Sequence, residues 1–413
     1  MPSLCLYFKV HQPFQLKQYH ARDIEVNHCY EDAASDEAVI NRLADTSYLL
    51  ANKILLSLIK ENQGKFSITF SMSGTVLELL QRYRPDVIGS FQGLTNTGCV
   101  EILAETYYHS LSYLHSPDEF ERQVRQHGML VKMLFGLEPR IFRNTELIYN
   151  NGMAARISRM GFDAILCEGI DHILQGRSPN HIYQSPSEEK ARLLLRNAAL
   201  SDDIAFRFDD PFWSEYPLTA EKMAEWIHNH PEGDEVINLF MDYETFGIHK
   251  KKETGIFDFL KALPEKVLAN PAFHVDMPSI AIKKYRPEGI YDVSQTISWE
   301  GRSASGEAWS QNVMQNNTLK KIYSLGKMVM ASGSAKTLAT WGKLQAADYF
   351  YYMLEEHAKG DTYKYVNPFN SSEEVFRYYT NIVVDFEIGL IRAAVTARRK
   401  KSLTNGWSLL NNN

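Results

Sequence analysis

Residues 236–247 read VINLFMDYETFG. A short β-prone apolar run leads into two carboxylates one residue apart, Asp242 and Glu244, and then into Phe246 and Gly247. Its length and composition are those of a buried strand. Carboxylates at the end of such a run are costly to bury unless they are paired or neutralised, so their position asks for a reason.

The same arrangement occurs six times earlier in the chain, in LCLYFKV (4–10), FSITFSM (66–72), CVEILAE (99–105), IFRNTEL (141–147), DAILCEG (163–169) and ARLLLRN (191–197). Longer segments separate the runs, and residues 35–62 carry apolar side chains at helical spacing after a Ser/Asp start. That alternation predicts an α/β fold with a parallel sheet and crossover connections. The polar residues decide which one. His11, Ser71, Ser73, Glu105, Tyr107, His109, Glu146, Glu168, Asp242 and Glu244 all fall at or just beyond the C-terminal end of a run. A β/α barrel builds its site from the loops that follow its strands. Neither GxGxxG nor GxxxxGK[ST] follows any of the runs, so a nucleotide-binding open sheet is not indicated.

Beyond about residue 295 strand-like runs stop. Three segments with apolar residues at spacings of three and four, 305–330, 334–357 and 371–401, predict a three-helix bundle. The expected division is a catalytic domain over 1–295 and a helical domain over 296–413. HAKGDTYKYVNPFNSS (357–372) reads as an irregular connection and SLTNGWSLLNNN (402–413) as a frayed tail.

Composition narrows the partner. The 413 residues carry 44 Lys plus Arg against 50 Asp plus Glu, a net charge of -6 without basic blocks. A nucleic acid or an anionic membrane is therefore not expected, and an uncharged partner is. Cys5, Cys29, Cys99 and Cys167 show no CxxC spacing, which argues against a structural zinc site or a disulfide framework. The apolar run near the start spans only Leu4 to Phe8, too short for a signal sequence, and no segment is long enough to span a bilayer. A cytoplasmic protein is expected.

Acids at several strand ends suit glycoside hydrolysis, which needs two carboxyl groups about the scissile bond. Asp242 and Glu244 share strand parity, so in an extended strand both point inward, where repulsion and burial raise the pKa of one. Glu146 lies within IFRNTEL; Arg143 has the opposite parity and is expected to point to the other face rather than pair with it. His11 and His109 fit hydroxyl binding, structural hydrogen bonding or metal ligation. With Asp242 and Glu244 they form the donor set of an alternative, a metal-dependent hydrolase or deacetylase, although neither histidine lies in an HExxH or HxH spacing. A second alternative is a non-catalytic glucan-binding protein using Trp299, Trp309 and Trp341.

These residues fall into an ordered set of motifs. His11-Gln12-Pro13, GCVEI (98–102), FRNTELIYN (142–150), MDYETFG (241–247) and TWGKLQAADYFYYM (340–353) resemble, in order, the five motifs of the α-amylase-like members of glycoside hydrolase family 57. RSPN (177–180) and LSDDIAFRF (200–208) are similar to segments of the same branch. The resemblance implies an incomplete (β/α)7 barrel followed by a C-terminal helical bundle domain that closes over the cleft. It implies retaining cleavage of α-1,4-glucans with no metal or other cofactor, Glu146 as nucleophile and Asp242 as general acid/base. His11, Glu101, His109, Glu244, Phe246, Trp299, Trp341 and Asp348 are the substrate-binding candidates it suggests, with Glu244 tuning Asp242. The fifth motif departs from the family pattern at Ala346-Ala347 and Tyr349, and SWEGRSASGEAW (298–309) departs as well. A maltooligosaccharide substrate is implied, with 4-α-glucanotransfer as the alternative to hydrolysis.

Overall fold

A computed structural model of the protein describes residues 2–299, 309–354 and 368–410, with side chains described through residue 399. Ten strands are present among the described residues: β1 Ser3–Val10, β2 Ile68–Met72, β3 Val100–Leu103, β4 Ile141–Arg143, β5 Ala164–Glu168, β6 Ile182–Gln184, β7 Arg192–Arg196, β8 Val236–Asp242, β9 His274–Val275 and β10 Gly289–Ile290. Each of the seven apolar runs contains one of them. Those seven pair in parallel in the order β4-β5-β7-β8-β1-β2-β3. The ring closes through Ala104, whose N–H bonds to Ile141 O and whose carbonyl accepts from Arg143 N–H, both at 2.9 Å. The three strands that the sequence pattern missed are two or three residues long, too short to show a period. β6 is antiparallel to β7 and carries β10 on its outer edge.

Alternation along the strands sets the interior. Cys5 and Tyr7 of β1, Leu103 of β3, Ile141 of β4, Ala164 and Leu166 of β5, Leu194 of β7 and Phe240 of β8 join one buried apolar cluster. Burying each larger side chain contributes about 1.5–3 kcal/mol. The next inward positions on β1, β4, β7 and β8 are Lys9, Arg143, Arg196 and Asp242, all buried. The barrel is thus apolar below and ionic at the C-terminal ends of its strands.

The helix predicted at 35–62 is observed as Ala33–Leu43, a π turn at Ala44–Tyr48 and Leu49–Glu61. The π turn brings the Thr46 carbonyl against Gly247, which has φ +108°. A Cβ at Gly247 would lie 2.0 Å from that carbonyl oxygen. Gly247→Ala is therefore expected to destabilise the protein by roughly 2 kcal/mol or more, read as a lowered urea midpoint at unchanged slope.

The chain divides into two compact units, Met1–Gln12, Asp36–His109 and Asp118–Gly306 forming one, and Pro13–Ser35, Ser110–Pro117 and Glu307–Asn413 the other. Two early segments thus belong with the helical part, and specific bonds hold the longer one there. Tyr349 donates to Phe14 O (2.6 Å), Lys343 to Glu31 (2.8 Å) and Tyr30 to Asp385 (2.6 Å).

The three-helix bundle expected over 296–413 is instead five helices among the described residues of that range, Val313–Ser324, Gly326–Ser332, Ala335–Lys343, Ala347–Tyr351 and Ser372–Leu410. Asn312 and Gln315 form a capping box at the first. A Cβ at Gly326 would meet Trp341 at 3.1 Å, which accounts for glycine where the first two helices meet. The last helix continues to Leu410, through most of the tail expected to fray. The start of the predicted helix 305–330, most of SWEGRSASGEAW and most of the connection 357–372 lie outside the described residues.

Candidate active site

The ionic end of the barrel gathers around Lys9. Register places Lys9 of β1 beside Asp242 of β8 and Ser71 of β2. Its ammonium lies 3.1 Å from Asp242 Oδ1 and 3.4 Å from Glu146 Oε1. Those two carboxylate oxygens can therefore be no more than about 6.5 Å apart.

Glu146 is not on the strand. β4 ends at Arg143, and Thr145–Leu147 forms a tight 3-10 turn in which Glu146 and Leu147 both have φ 53°. His109, which contacts Glu146, has φ 51°. Left-handed backbone costs a non-glycine residue on the order of 1 kcal/mol or more and persists only where the surroundings impose it. Here they do. Leu147 N–H bonds to Asn144 O (3.0 Å), Asn144 Nδ2 donates to Ile148 O (3.1 Å), and the Thr145 and Thr106 hydroxyls meet at 2.7 Å. The Glu146 carboxylate accepts from the indole N–H of Trp299 and lies 2.7 Å from His109 Nε2.

A second carboxylate supports the first. Glu105, fully buried, accepts from Ser71 Oγ at 2.8 Å and lies 3.4 Å from both Arg143 Nη1 and His109 Nδ1. Burial alone would push its carboxyl up, but the His109 hydrogen bond and the charges of Arg143, His109 and His127 hold it down at about 2. The His109 ring is thus fixed between two carboxylates. His11 stacks on that ring at 3.9 Å and shares a 2.7 Å hydrogen bond with Ser73.

Such a group can bind hydroxyls and hold two carboxyls close enough to act on one bond. The profile of Glycosyl hydrolase family 57 matches residues 5–294. The chain belongs to this family. A putative alpha-amylase of Methanocaldococcus jannaschii is 38% identical over 92% of this chain and 83% of its own length. An alpha-amylase of Pyrococcus furiosus is 23% identical over 56% of this chain, which spans 35% of that protein. Among solved structures, the 4-alpha-glucanotransferase of Thermococcus litoralis superposes with a TM-score of 0.70 over 94% of this chain and 59% of its own, at 14% identity. A novel alpha-amylase of Thermotoga maritima gives 0.63 over 96% and 94%, at 13% identity. At such identities these likenesses establish the fold.

Not every candidate carried over from family 57 lies in this cluster. His11, His109, Glu146, Asp242 and Trp299 do; Trp299 is largely buried and its N–H is spent on Glu146. Glu101 is at the other end of the barrel. It precedes Glu105 by four residues on an extended strand, about 13 Å, and accepts from Ser279 N–H at 3.1 Å beside a cavity of about 790 Å³ with Arg140, Arg192 and Lys283 on its walls. Phe246 packs edge-on against Phe8 at 5.6 Å in the core, where it presents no free face to a sugar.

Glu244 departs from the parity argument because β8 stops at Asp242 and the chain turns through Tyr243–Thr245. Its carboxylate accepts from Tyr48 of the π turn. Burial and then the Asp242 charge raise it to about 7, against the Tyr48 hydrogen bond and the Lys9 charge. Trp341 and Asp348 are buried in the second unit, and Trp341 spends its N–H on Ile322 O at 2.8 Å. Among the described residues no group of three or more His, Cys, Asp or Glu side chains is placed to hold a metal ion.

Arg143 pairs with Glu105 and lies over the Phe240 ring at 5.2 Å rather than pairing with Glu146, but it points into the barrel and not to the other face, because Glu146 has left the strand for the turn. Lys9 belongs to none of the motifs. An ionisable side chain at the inward parity of LCLYFKV was the available signal.

Proposed function

We propose that the protein is a retaining glycoside hydrolase acting on α-1,4-glucans, with Glu146 as nucleophile and Asp242 as general acid/base. The observation that carries the mechanism is the common contact with Lys9, which limits the two carboxylate oxygens to a separation of about 6.5 Å or less. Double displacement uses carboxyl groups about 5–5.5 Å apart, whereas single displacement needs roughly 6.5–9.5 Å to admit a water. The relative named as a putative alpha-amylase, matched over 92% of this chain, supports the substrate class.

In the first step Glu146 attacks the anomeric carbon as the glycosidic C–O bond breaks, and Asp242 gives its proton to the leaving oxygen. In the second, Asp242 takes a proton from water, which attacks the same carbon and releases Glu146. His11 and His109 bind hydroxyls about the cleaved bond, and Trp299 orients Glu146. A cytoplasmic location is part of this reading; no helix among the described residues is long and apolar enough to cross a membrane.

Maltoheptaose followed by proton NMR tests it. The α-anomer of shorter maltooligosaccharides should appear first and reducing ends should accumulate. Early β-anomer would overturn retention. Products longer than heptaose, with little new reducing sugar, would make the protein a 4-α-glucanotransferase.

A further inference from the structure

Lys9 does more than join two strands. It is 3% exposed, and its ammonium meets one carboxylate from β8 and another from the turn after β4. Stranding a buried ammonium beside a neutral group is strongly unfavourable. If Glu146 and Asp242 react as proposed above, that would happen at every turnover to a lysine paired with only one of them. In the resting enzyme Glu146 is ionised and Asp242 holds the proton. Once the glycosyl-enzyme forms, Glu146 is an uncharged ester and Asp242, having given its proton to the leaving oxygen, is the anion. When water attacks and the C–O bond to Glu146 breaks, Asp242 regains a proton and the charge returns.

We propose that Lys9 is the positioning charge for both chemical steps, its ammonium keeping an anionic partner as the single negative charge passes from Glu146 to Asp242 and back. The inference rests on the proposed roles of those two residues. No movement of the lysine is required, because both sites of the charge are already within 3.4 Å of it. The transition states of the two steps share that charge between the carboxylates, and the ammonium faces both, a preorganised charge of the kind that lowers barriers in a dry site.

Other groups bear on the pair. His109 faces Glu146; Glu105 stands behind His109 with Arg143; His11 stacks on His109; Ser71 is in register with Lys9; and Glu244 is coupled to Asp242. Each remains in place in a Lys9 variant, so the change reports the ammonium.

The measurement is the pH dependence of kcat/KM for maltooligosaccharide hydrolysis by Lys9→Met and Lys9→Arg. The acid limb reports ionisation of Glu146 and the alkaline limb loss of the proton from Asp242. A neighbouring cation lowers both, so in Lys9→Met both limbs should move to higher pH, by about one to three units, with a fall in the optimum rate of roughly 100-fold. Lys9→Arg, which keeps the charge, should return the limbs toward wild type. If Lys9→Met does not fold, Lys9→Gln keeps a polar side chain without charge and should show the same shifts. Limbs that stay in place, or a shift in one limb only, would overturn the proposal even if Glu146→Gln and Asp242→Asn are inactive. Substantial activity in either of those two variants would instead remove the reading on which it rests.

Discussion

Glu146→Gln should lower turnover of maltooligosaccharides by on the order of 10⁴-fold or more, the scale seen when a covalent nucleophile is removed. An amide has the shape of the carboxylate but neither its charge nor its nucleophilicity. It can still accept from the Trp299 indole N–H and keep the left-handed turn at Glu146 and Leu147 in place. With residue 146 neutral, Asp242 can give up its proton and become the anionic partner of Lys9, 3.1 Å away. The thermal midpoint should therefore change by only a few degrees, and unchanged unfolding beside lost turnover is the expected pair of results. Shortening the side chain further sharpens the test. In Glu146→Ala, azide can enter the vacated space and attack directly, giving a β-glycosyl azide from an α-linked substrate. An α-glycosyl azide, or activity within about tenfold of wild type in Glu146→Gln, would remove Glu146 from the nucleophilic role.

Asp242→Asn has a more selective effect. Natural glucans have a poor leaving group, so loss of the proton donor should cost roughly 10²–10⁴-fold or more on maltooligosaccharides. An α-glucosyl fluoride needs no proton to depart. With it, the first step should be nearly spared, while the second slows because no base activates water. The glycosyl-enzyme should then accumulate and be visible in the intact mass of the protein, with added azide speeding its breakdown. An equal loss on both substrates, with no accumulation, would mean that Asp242 is not the acid/base. Glu244 would become the next candidate, since burial and the Asp242 charge raise its carboxyl to about 7. Its hydrogen bond to Tyr48 of the π turn, however, gives that carboxylate a partner separate from the Lys9–Glu146 contact.

Apolar runs bounded by polar ends located the seven barrel strands, because buried parallel strands have near-continuous apolar sequence. Parity then worked where the strand continued and failed where it stopped. Arg143 is the last residue of β4 and points as its parity requires, onto Phe240 and Glu105. Three residues later Glu146 is in a left-handed turn, and two residues beyond β8 Glu244 has turned toward Tyr48, so neither obeys a period of two. Helical periodicity extended the C-terminal segments across the breaks beside Gly326 and between Lys343 and Ala347, because a short break leaves the apolar spacing on either side almost unchanged.

What the amino-acid sequence determined by itself is the chemistry available and the scaffold that carries it: seven apolar strands, carboxylates and histidines after their C-terminal ends, and a helical C-terminal part. Both follow from short-range physics, the alternation of burial along a strand and the spacing of apolar residues along a helix. Only the tertiary structure decided which of those groups meet. Closing the ring brought Lys9 of β1 between Asp242 of β8 and Glu146 after β4, the latter 137 positions from Lys9 in the chain. Contacts of that separation depend on strand order, register and the direction of turns. Pairing energy in a buried site is set by distance and exclusion of water, which no local pattern contains.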